Sequence, residues 1–461
     1  MKIPFARSQP FCIVATLAAA LTVHGQLLTT LHTFTGGSDG AVPKTALAFG
    51  GNNQLFGTTY GGGTNGYGTV FALNTDGTGY TELHSFISPG SPETGVFVSG
   101  NTLYGTTQNS VFSINTDGSG FSFLTGLTAY NEGLDPAGSL IQVNGALWFV
   151  ISGNKTTIPP YGGIFDAHTT GGGYAYHLFL GIDITTPIMI DGAFPMGGMV
   201  LIGAYLYGTT SGGACSTYSG EPSGTFFQVS TNETGTRSYQ NFPSFPTLGE
   251  RPEGDLMVAS NGLIYGTCAS GSGSPLGPST SFGGTVWECD TNGNGAVIHT
   301  FLGSDGATPF GGLVSPDGYT LYGTTGYGGA FNKGTVYTIN TDGTGFTTLY
   351  SFTGGSDGAV PMGDLILSNN VLYGTTSAGG SGGRGTVFAL NLSAAPAVTV
   401  NIAPAGGQSV VFWPVSYAGY VLQATTNLAS SNWFNVGNSM PVTGVTVSNQ
   451  MPSLFFRLQG P

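Results

Sequence analysis

Apolar and polar residues alternate along most of this chain in short runs of five or six, and the runs recur in a fixed order. Each run is rich in Val, Ile, Leu, Phe, Tyr and Thr and is bounded by Gly, Asn and Asp, which predicts strands separated by turns. Two phrases mark the period. Leu-Tyr-Gly-Thr-Thr occurs at Leu103–Thr107, Leu206–Thr210, Leu321–Thr325 and Leu372–Thr376, with near-copies at Leu55–Thr59 and Ile264–Cys268 and a degenerate one at Leu147–Ile151. A Gly-Thr-Val-Phe-Ala-Leu-Asn phrase follows each, beginning at Gly68, Asn109, Gly162, Gly224, Gly284, Gly334 and Gly385. No segment of useful length after residue 25 has helical periodicity.

A third phrase, Leu-His-Ser-Phe, ends at Phe34, Phe86, Phe179, Phe242, Phe301 and Phe352, with a worn copy near Phe123–Leu127. Its count is also seven, but its phase is shifted: one copy precedes the first full repeat and none follows the last. Asp-Gly between the third and fourth runs is expected to supply the positive φ angles of a hairpin turn. The unit is then a four-stranded antiparallel meander of roughly 45 to 60 residues, which buries both apolar faces only by stacking against its neighbours. These observations predict an all-β chain: a seven-bladed β-propeller over residues 27–393, with the segment around Leu28–Phe34 lending the last blade its outer strand. An open right-handed β-solenoid is the alternative.

Repetition ends near Leu392, and Ala394-Ala395-Pro396-Ala397 reads as a linker. Six further strand-like runs between Val398 and Leu458 suggest a small β-sandwich over residues 398–461, with Trp413, Tyr420, Leu422, Trp433, Phe455 and Phe456 as its core. At the other end, Lys2 and Arg7 precede an apolar stretch from Phe11 to Val23, followed by His24-Gly25. Residues 1–25 therefore read as a secretory signal, too short to span a membrane, and the mature protein is expected outside the cell or on its surface.

Composition narrows the partners. Charged residues are only 7% of 461, the formal net charge is −13, and glycines number 80. The basic residues are scattered, which argues against nucleic acid and anionic membrane. Cys268 and Cys289, expected on adjacent strands of one blade, are the candidate disulfide, with Cys215 left over. Cys-x-x-Cys spacing is absent, and neither metal nor other cofactor is expected. His32, His84, His177 and His299 share one position in the third phrase with Tyr350 and Gln240, which marks a structural role.

The repeat resembles the Gloeobacter/Verrucomicrobia tandem repeat in Leu372-Tyr-Gly-Thr-Thr, Gly385-Thr-Val-Phe-Ala-Leu, Leu83-His-Ser-Phe and Ser356-Asp-Gly-Ala-Val-Pro361, over roughly residues 27–393. Copies two and three depart from it at Ser88–Glu93 and Trp148-Phe149. The resemblance implies export and supplies no activity or catalytic residue. The tail resembles the C-terminal module, ending in Phe-Phe-Arg-Leu, of exported proteins from the same bacterial groups.

In a propeller the strand-two-to-three loops share a face with the inter-blade loops. The former differ in sequence from repeat to repeat and carry Tyr60, Tyr67, Tyr218, Phe282, Tyr327, Phe331, Lys333 and Arg384, the candidate ligand-binding residues. The inter-blade loops repeat Asp-Gly-x-x-Pro at Asp39, Asp191, Asp305 and Asp357, with Asp135 and Glu250 in similar places. A residue repeated once per blade serves the blade, so these read as turn residues rather than as an acid–base or calcium ring. No nucleophile elbow, zinc-protease helix or phosphate loop is present. The expected function is non-enzymatic binding of an extracellular polysaccharide or surface partner by a monomer. A polysaccharide lyase or hydrolase and a purely structural surface protein are the alternatives.

Overall fold

A computed structural model describes residues 28–87, 90–127, 135–153, 162–171, 174–178, 194–212, 224–231, 239–242, 248–271 and 283–392, and six strands between 401 and 459. The chain divides into one unit of Leu28–Ser393 and a second that contains Ala394–Pro461. The expected signal at residues 1–25 lies outside the described residues.

The first unit is a seven-bladed β-propeller, without a helix among its described residues. It begins with β1 (Leu28–Thr33). Blade 1 is β2 (Ala48–Phe49), β3 (Gln54–Thr59), β4 (Thr69–Asn74) and β5 (Thr81–Ser85); blade 2 is β6 (Phe97–Ser99), β7 (Thr102–Thr107), β8 (Ser110–Asn115) and β9 (Ser122–Gly126). Blade 3 is β10 (Pro136–Val143), β11 (Ala146–Ile151), β12 (Gly163–His168) and β13 (Tyr174–Leu178); blade 4 is β14 (Val200–Ile202), β15 (Tyr205–Thr210), β16 (Thr225–Ser230) and β17 (Tyr239–Phe242). Blade 5 is β18 (Met257–Val258), β19 (Ile264–Cys268), β20 (Thr285–Cys289) and β21 (Gly295–Thr300). Blade 6 is β22 (Thr320–Thr325), β23 (Thr335–Asn340) and β24 (Thr347–Ser351), with a bridge from Val314 to Tyr322 at its inner edge. Blade 7 is β25 (Ile366–Ser368), β26 (Val371–Thr376) and β27 (Thr386–Asn391). β1 lies antiparallel to β27, with Leu28 opposite Leu390 and Thr33 opposite Thr386. Seven separate meanders, rather than one continuous ladder, exclude the solenoid.

The recurring phrases are packing instructions. Gly374 in Leu-Tyr-Gly-Thr-Thr leaves room for the ring of Phe388 on the next strand; a Cβ there would sit 2.6 Å from the ring. The same partnership joins Gly57 to Phe71, Gly105 to Phe112 and Gly266 to Trp287. The second Thr pairs across the strand with the Thr of the following phrase: Thr59 with Thr69 at 3.0 Å, Thr325 with Thr335 at 2.8 Å and Thr376 with Thr386 at 2.9 Å between hydroxyls. The first Thr stitches blades together. Thr58 donates to the Thr94 carbonyl (3.0 Å), Thr267 to that of Gly311 (2.9 Å) and Thr375 to that of Thr45 (3.0 Å).

Two expectations need correction. In the hairpin turns Gly77, Gly118 and Gly343 take positive φ, while Asp76, Asp117 and Asp342 accept from the residue two places on. The aspartates are side-chain caps, which holds their carboxyls below the usual range. Cys268 and Cys289 are both free and buried. They sit at opposite ends of the β19–β20 ladder, Cys268 facing Thr285 and Cys289 facing Ile264. Four residues of strand, about 13 Å, separate them, far beyond disulfide reach. Burial pushes the Cys289 thiol up to about 12 and raises that of Cys268 further.

In the second unit, β28 (Asn401–Ala405), β29 (Gln408–Phe412) and β32 (Gly444–Ser448) form one antiparallel sheet. A second contains β30 (Val421–Thr425), β31 (Phe434–Asn435) and β33 (Phe455–Gln459). The expected core residues Trp413, Tyr420 and Trp433 lie outside the described residues.

The Gly374–Phe388 partnership predicts that Gly374→Ala lowers stability by about 1–3 kcal/mol through overpacking, read as a lower urea midpoint. The double variant with Phe388→Leu should lose less than the sum of the two single losses, because the smaller side chain relieves the clash.

Candidate functional site

The inter-blade loops and the strand-two-to-three loops share one face. Ala41 bridges to Gly61, Glu250 to Ser270, Ala307 to Tyr327 and Ala359 to Ala378. The expected variability of the latter loops is only partial. Residues 60–67, 326–333 and 377–384 have one length and one set of left-handed positions: Gly62 and Gly63, Gly328 and Gly329, Gly379 and Gly380.

The Asp-Gly-x-x-Pro loops at Asp39, Asp305 and Asp357 are structural, and Asp191 lies outside the described residues. Asp39 accepts from the Thr35 amide (2.8 Å) and hydroxyl (2.5 Å), and Asp357 from Thr353 in the same way. The third-phrase residues join these turns, His299 to Asp305 at 3.0 Å and the Tyr350 hydroxyl to Asp357 at 3.0 Å. His32, His84 and His299 each stack on an aromatic ring of the next blade: Tyr80, Phe121 and Phe346. Burial lowers all three imidazoles, so they are neutral packing groups at neutral pH.

The residue before the proline is left-handed in six blades: Val42, Asp135, Phe194, Arg251, Thr308 and Val360, with φ between 43° and 56°. Such φ is costly for β-branched side chains. At Val42, Thr308 and Val360 the strain is held by two backbone bonds each. Val42 donates to the Arg384 carbonyl at 2.8 Å and accepts from the Tyr60 amide at 3.1 Å; Val360 donates to the Lys333 carbonyl at 2.9 Å and accepts from Ser377 at 3.0 Å.

Past each proline the inner strand turns its first residues toward the axis, and here the blades stop resembling one another. The first position after the proline holds Lys44, Glu93, Ala137, Met196, Glu253, Phe310 and Met362 in blades 1 to 7. The third holds Ala46, Gly95, Ser139, Gly198, Asp255, Gly312 and Asp364. With Asp135 and Ser152, most of these side chains line a single cavity of about 360 Å³. Blades 6, 7 and 1 contribute Phe310, Met362, Asp364 and Lys44, blades 2 and 3 contribute Glu93, Asp135, Ser139 and Ser152, and blades 4 and 5 contribute Met196, Glu253 and Asp255.

Lys44 lies 2.8 Å from Glu93 and 4.0 Å from the centre of the Tyr60 ring. Arg251 pairs with Glu253 at 2.6 Å. At the base, Asp255 accepts from the Ser139 amide at 3.2 Å and from the Gly198 amide. Asp364 accepts from the Gly312 amide at 2.5 Å and shares a hydrogen bond with Asp255. Two carboxyls make that bond only if one keeps its proton, and burial followed by the Asp255 charge holds Asp364 well above the usual carboxylate range. Burial also raises Glu93, Glu253 and Asp135, opposed at Glu93 and Asp135 by Lys44 and at Glu253 by Arg251.

The sequence-derived candidates divide. Tyr60 and Tyr327 do not line the cavity but lie against residues that do, Tyr60 under Lys44 and Tyr327 edge-on to Phe310 at 6.2 Å. Lys44 covers one face of Tyr60, so that face is closed to a stacking ligand. Tyr67 and Phe331 are exposed on the loops, and the Lys333 and Arg384 stems lie along Gly354 and Gly36 of the next inter-blade turns. Tyr218 and Phe282 lie outside the described residues. Sequence reasoning missed Lys44, Glu93, Glu253, Asp255, Phe310 and Asp364. Their signal is departure from the repeat at two fixed offsets after the proline.

Asp364 gives a pH prediction. A carboxyl raised in the folded state contributes stability that is full below its unfolded value, near 3.9, and is lost as pH rises through the folded value. The lowered histidines act oppositely, losing stability as pH falls below 6.5. Asp364→Asn should therefore flatten the decline in melting temperature between pH 4 and 8 relative to the wild type, measured by thermal unfolding across that range.

No curated protein matches the chain. Among solved structures, an oligogalacturonate lyase in complex with manganese aligns with TM-score 0.50 and 11% identity, over 79% of this chain and 93% of that one. The extracellular domain of a hybrid two-component system from B. thetaiotaomicron aligns with TM-score 0.47 and 13% identity, over 94% of this chain and 55% of that one. A nidogen/laminin complex chain aligns with TM-score 0.38 and 13% identity, over 63% and 89%. This chain thus spans about half the length of that extracellular domain. At such identities the likeness concerns the fold. No helix among the described residues is long and apolar enough to cross a membrane. The repeat family's pattern matches residues 17–221 and 190–388, and the chain belongs to the Gloeobacter/Verrucomicrobia repeat family.

Proposed function

We propose that this is an exported glycan-binding propeller whose site is the axial cup rather than the outer loops. One observation carries this: the inner-strand positions that break the sevenfold repeat line one cavity. Repeated residues build blades; unrepeated ones in one place are free to serve a ligand. The cup joins apolar side chains to carboxylates and hydroxyls, the mixture that suits a sugar's C–H face and its hydroxyls, and its volume falls at the small end of ordinary ligand pockets. Glu93, Asp135 and Glu253 around the rim disfavour a polyanion, so the proposal is a neutral saccharide rather than the oligogalacturonate named for the similar lyase.

Export would follow from the signal-like first 25 residues, and the β1–β27 pairing would close the ring as the mature chain folds. The C-terminal sheets would pack as a small sandwich. The protein would act as a monomer, without a cofactor, at the cell surface or beyond it.

A polysaccharide-acting enzyme is the second reading, favoured by the raised acids at the rim. Against a hydrolase, Asp255 and Asp364 touch, whereas paired glycosidase carboxylates stand about 5 to 9.5 Å apart to admit the sugar.

On a glycan array, the mature chain should bind a neutral oligosaccharide, and Phe310→Ala and Glu93→Gln should each weaken that binding at least tenfold in titration calorimetry. Absence of binding, or binding indifferent to both substitutions, would remove the proposal. Release of reducing or unsaturated ends from a polysaccharide panel would establish the enzyme instead.

A further inference from the structure

We infer that the cup accepts the end of a glycan chain and not an internal stretch; this rests on the axial cup being the glycan site. The floor is the reason. Asp255 leaves blade 5 and reaches amides of blade 4, at Gly198, and blade 3, at Ser139. Its remaining partner is Asp364 from blade 7, which blade 6 holds through the Gly312 amide. Two side chains thus tie five consecutive blades. Partners as far apart around the ring as blades 3 and 7 are reached together only across the axis, so the pair lies across the channel as a plug.

The wall is closed all the way round. A Cβ at Gly95 would lie 2.7 Å from the Ala46 carbonyl oxygen, one at Gly138 would meet the Gly197 and Gly198 backbone, and one at Gly197 the Gly254 carbonyl, while Ser99 donates to Gln142 at 3.3 Å between blades 2 and 3. A Cβ at Gly254 would lie 2.6 Å from the Gly311 carbonyl oxygen, and one at Gly311 would lie 2.9 Å from that of Gly363. The Cβ of a non-glycine residue at Gly363 would meet the Thr45 backbone. Inner strands in backbone contact leave no lateral slot there. An internal stretch of polysaccharide enters a site at one end and leaves at another, as in an open groove. A cup with a plugged base and abutting walls has a single mouth, so the chain must terminate inside it.

The experiment compares orientations. Linear cello-, xylo-, manno- and maltohexaose are each tethered to a biosensor through the reducing end or, in a second preparation, through the non-reducing end. End recognition predicts that the sugar bound best retains affinity in one orientation and loses at least tenfold in the other, because the tether occupies the buried terminus. Equal affinity in both orientations overturns the inference and leaves the axial site standing, if Phe310→Ala still weakens binding at least tenfold. Binding by none of the eight preparations, together with a blank glycan array, removes the axial glycan site and this inference with it.

Discussion

Everything in the propeller hangs on how one blade is bolted to the next. At six of the seven junctions a proline packs on the left-handed glycine that opens the third strand of the preceding blade. Pro43 lies against Gly385, Pro92 against Gly68, Pro195 against Gly162 and Pro361 against Gly334. The residue ahead of the proline is forced into a conformation that proline itself disfavours in its neighbour. At Val42, Thr308 and Val360 its amide bonds to the preceding blade and its carbonyl to its own. The strain is over-determined by its surroundings, the condition under which such strain persists. It also sets the direction in which the inner strand departs, and so aims the following residues at the axis.

That bolt explains what the sequence could reveal and what it could not. Blade number, strand order and the meander were legible because Gly374, Thr375 and Thr376 have steric and hydrogen-bonding reasons to be those residues, and the glycine and first threonine recur in every blade but the third, where Phe149 and Val150 replace them. Asn109 shows the limit: it replaces the junction glycine in blade 2 and has no positive φ, so the pattern wore thin there for a structural cause. The candidate site was less legible. Attention to loop residues found Tyr60 and Tyr327, which pack on the cavity-lining Lys44 and Phe310, but also Lys333 and Arg384, whose carbonyls serve the junction. Asp255 and Asp364 looked like two scattered acids because their relation appears only when the seven prolines are aligned. The Cys268–Cys289 pairing failed for a related reason: adjacent strands were foreseen correctly, but register along them was not.

Glycine has two distinct uses in this chain. At Gly57 or Gly374 it makes space for an aromatic ring within one blade. At Gly254, Gly311 and Gly363 it lets the backbones of neighbouring inner strands touch. The second use shrinks the axis to a width that two carboxyl groups can span. A propeller with side chains at those three positions would hold its inner strands farther apart, and Asp255 would no longer reach both Ser139 and Asp364.

The carboxyl pair itself is an expensive choice for a channel floor. Two apolar side chains would plug the axis without asking a carboxyl to retain its proton. Such a plug, however, would leave the amides of Ser139, Gly198 and Gly312 without acceptors, each costing roughly 1–3 kcal/mol when buried. Asp255 and Asp364 satisfy all three and bind to each other with the one proton they share. The same arrangement leaves a polar base beneath an otherwise part-apolar cup. A floor of hydrogen-bonding oxygens at the bottom of a pocket with an aromatic wall holds its geometry before any ligand arrives, and that pre-organisation is what a rigid ring of seven bolted blades can supply to a small polar ligand.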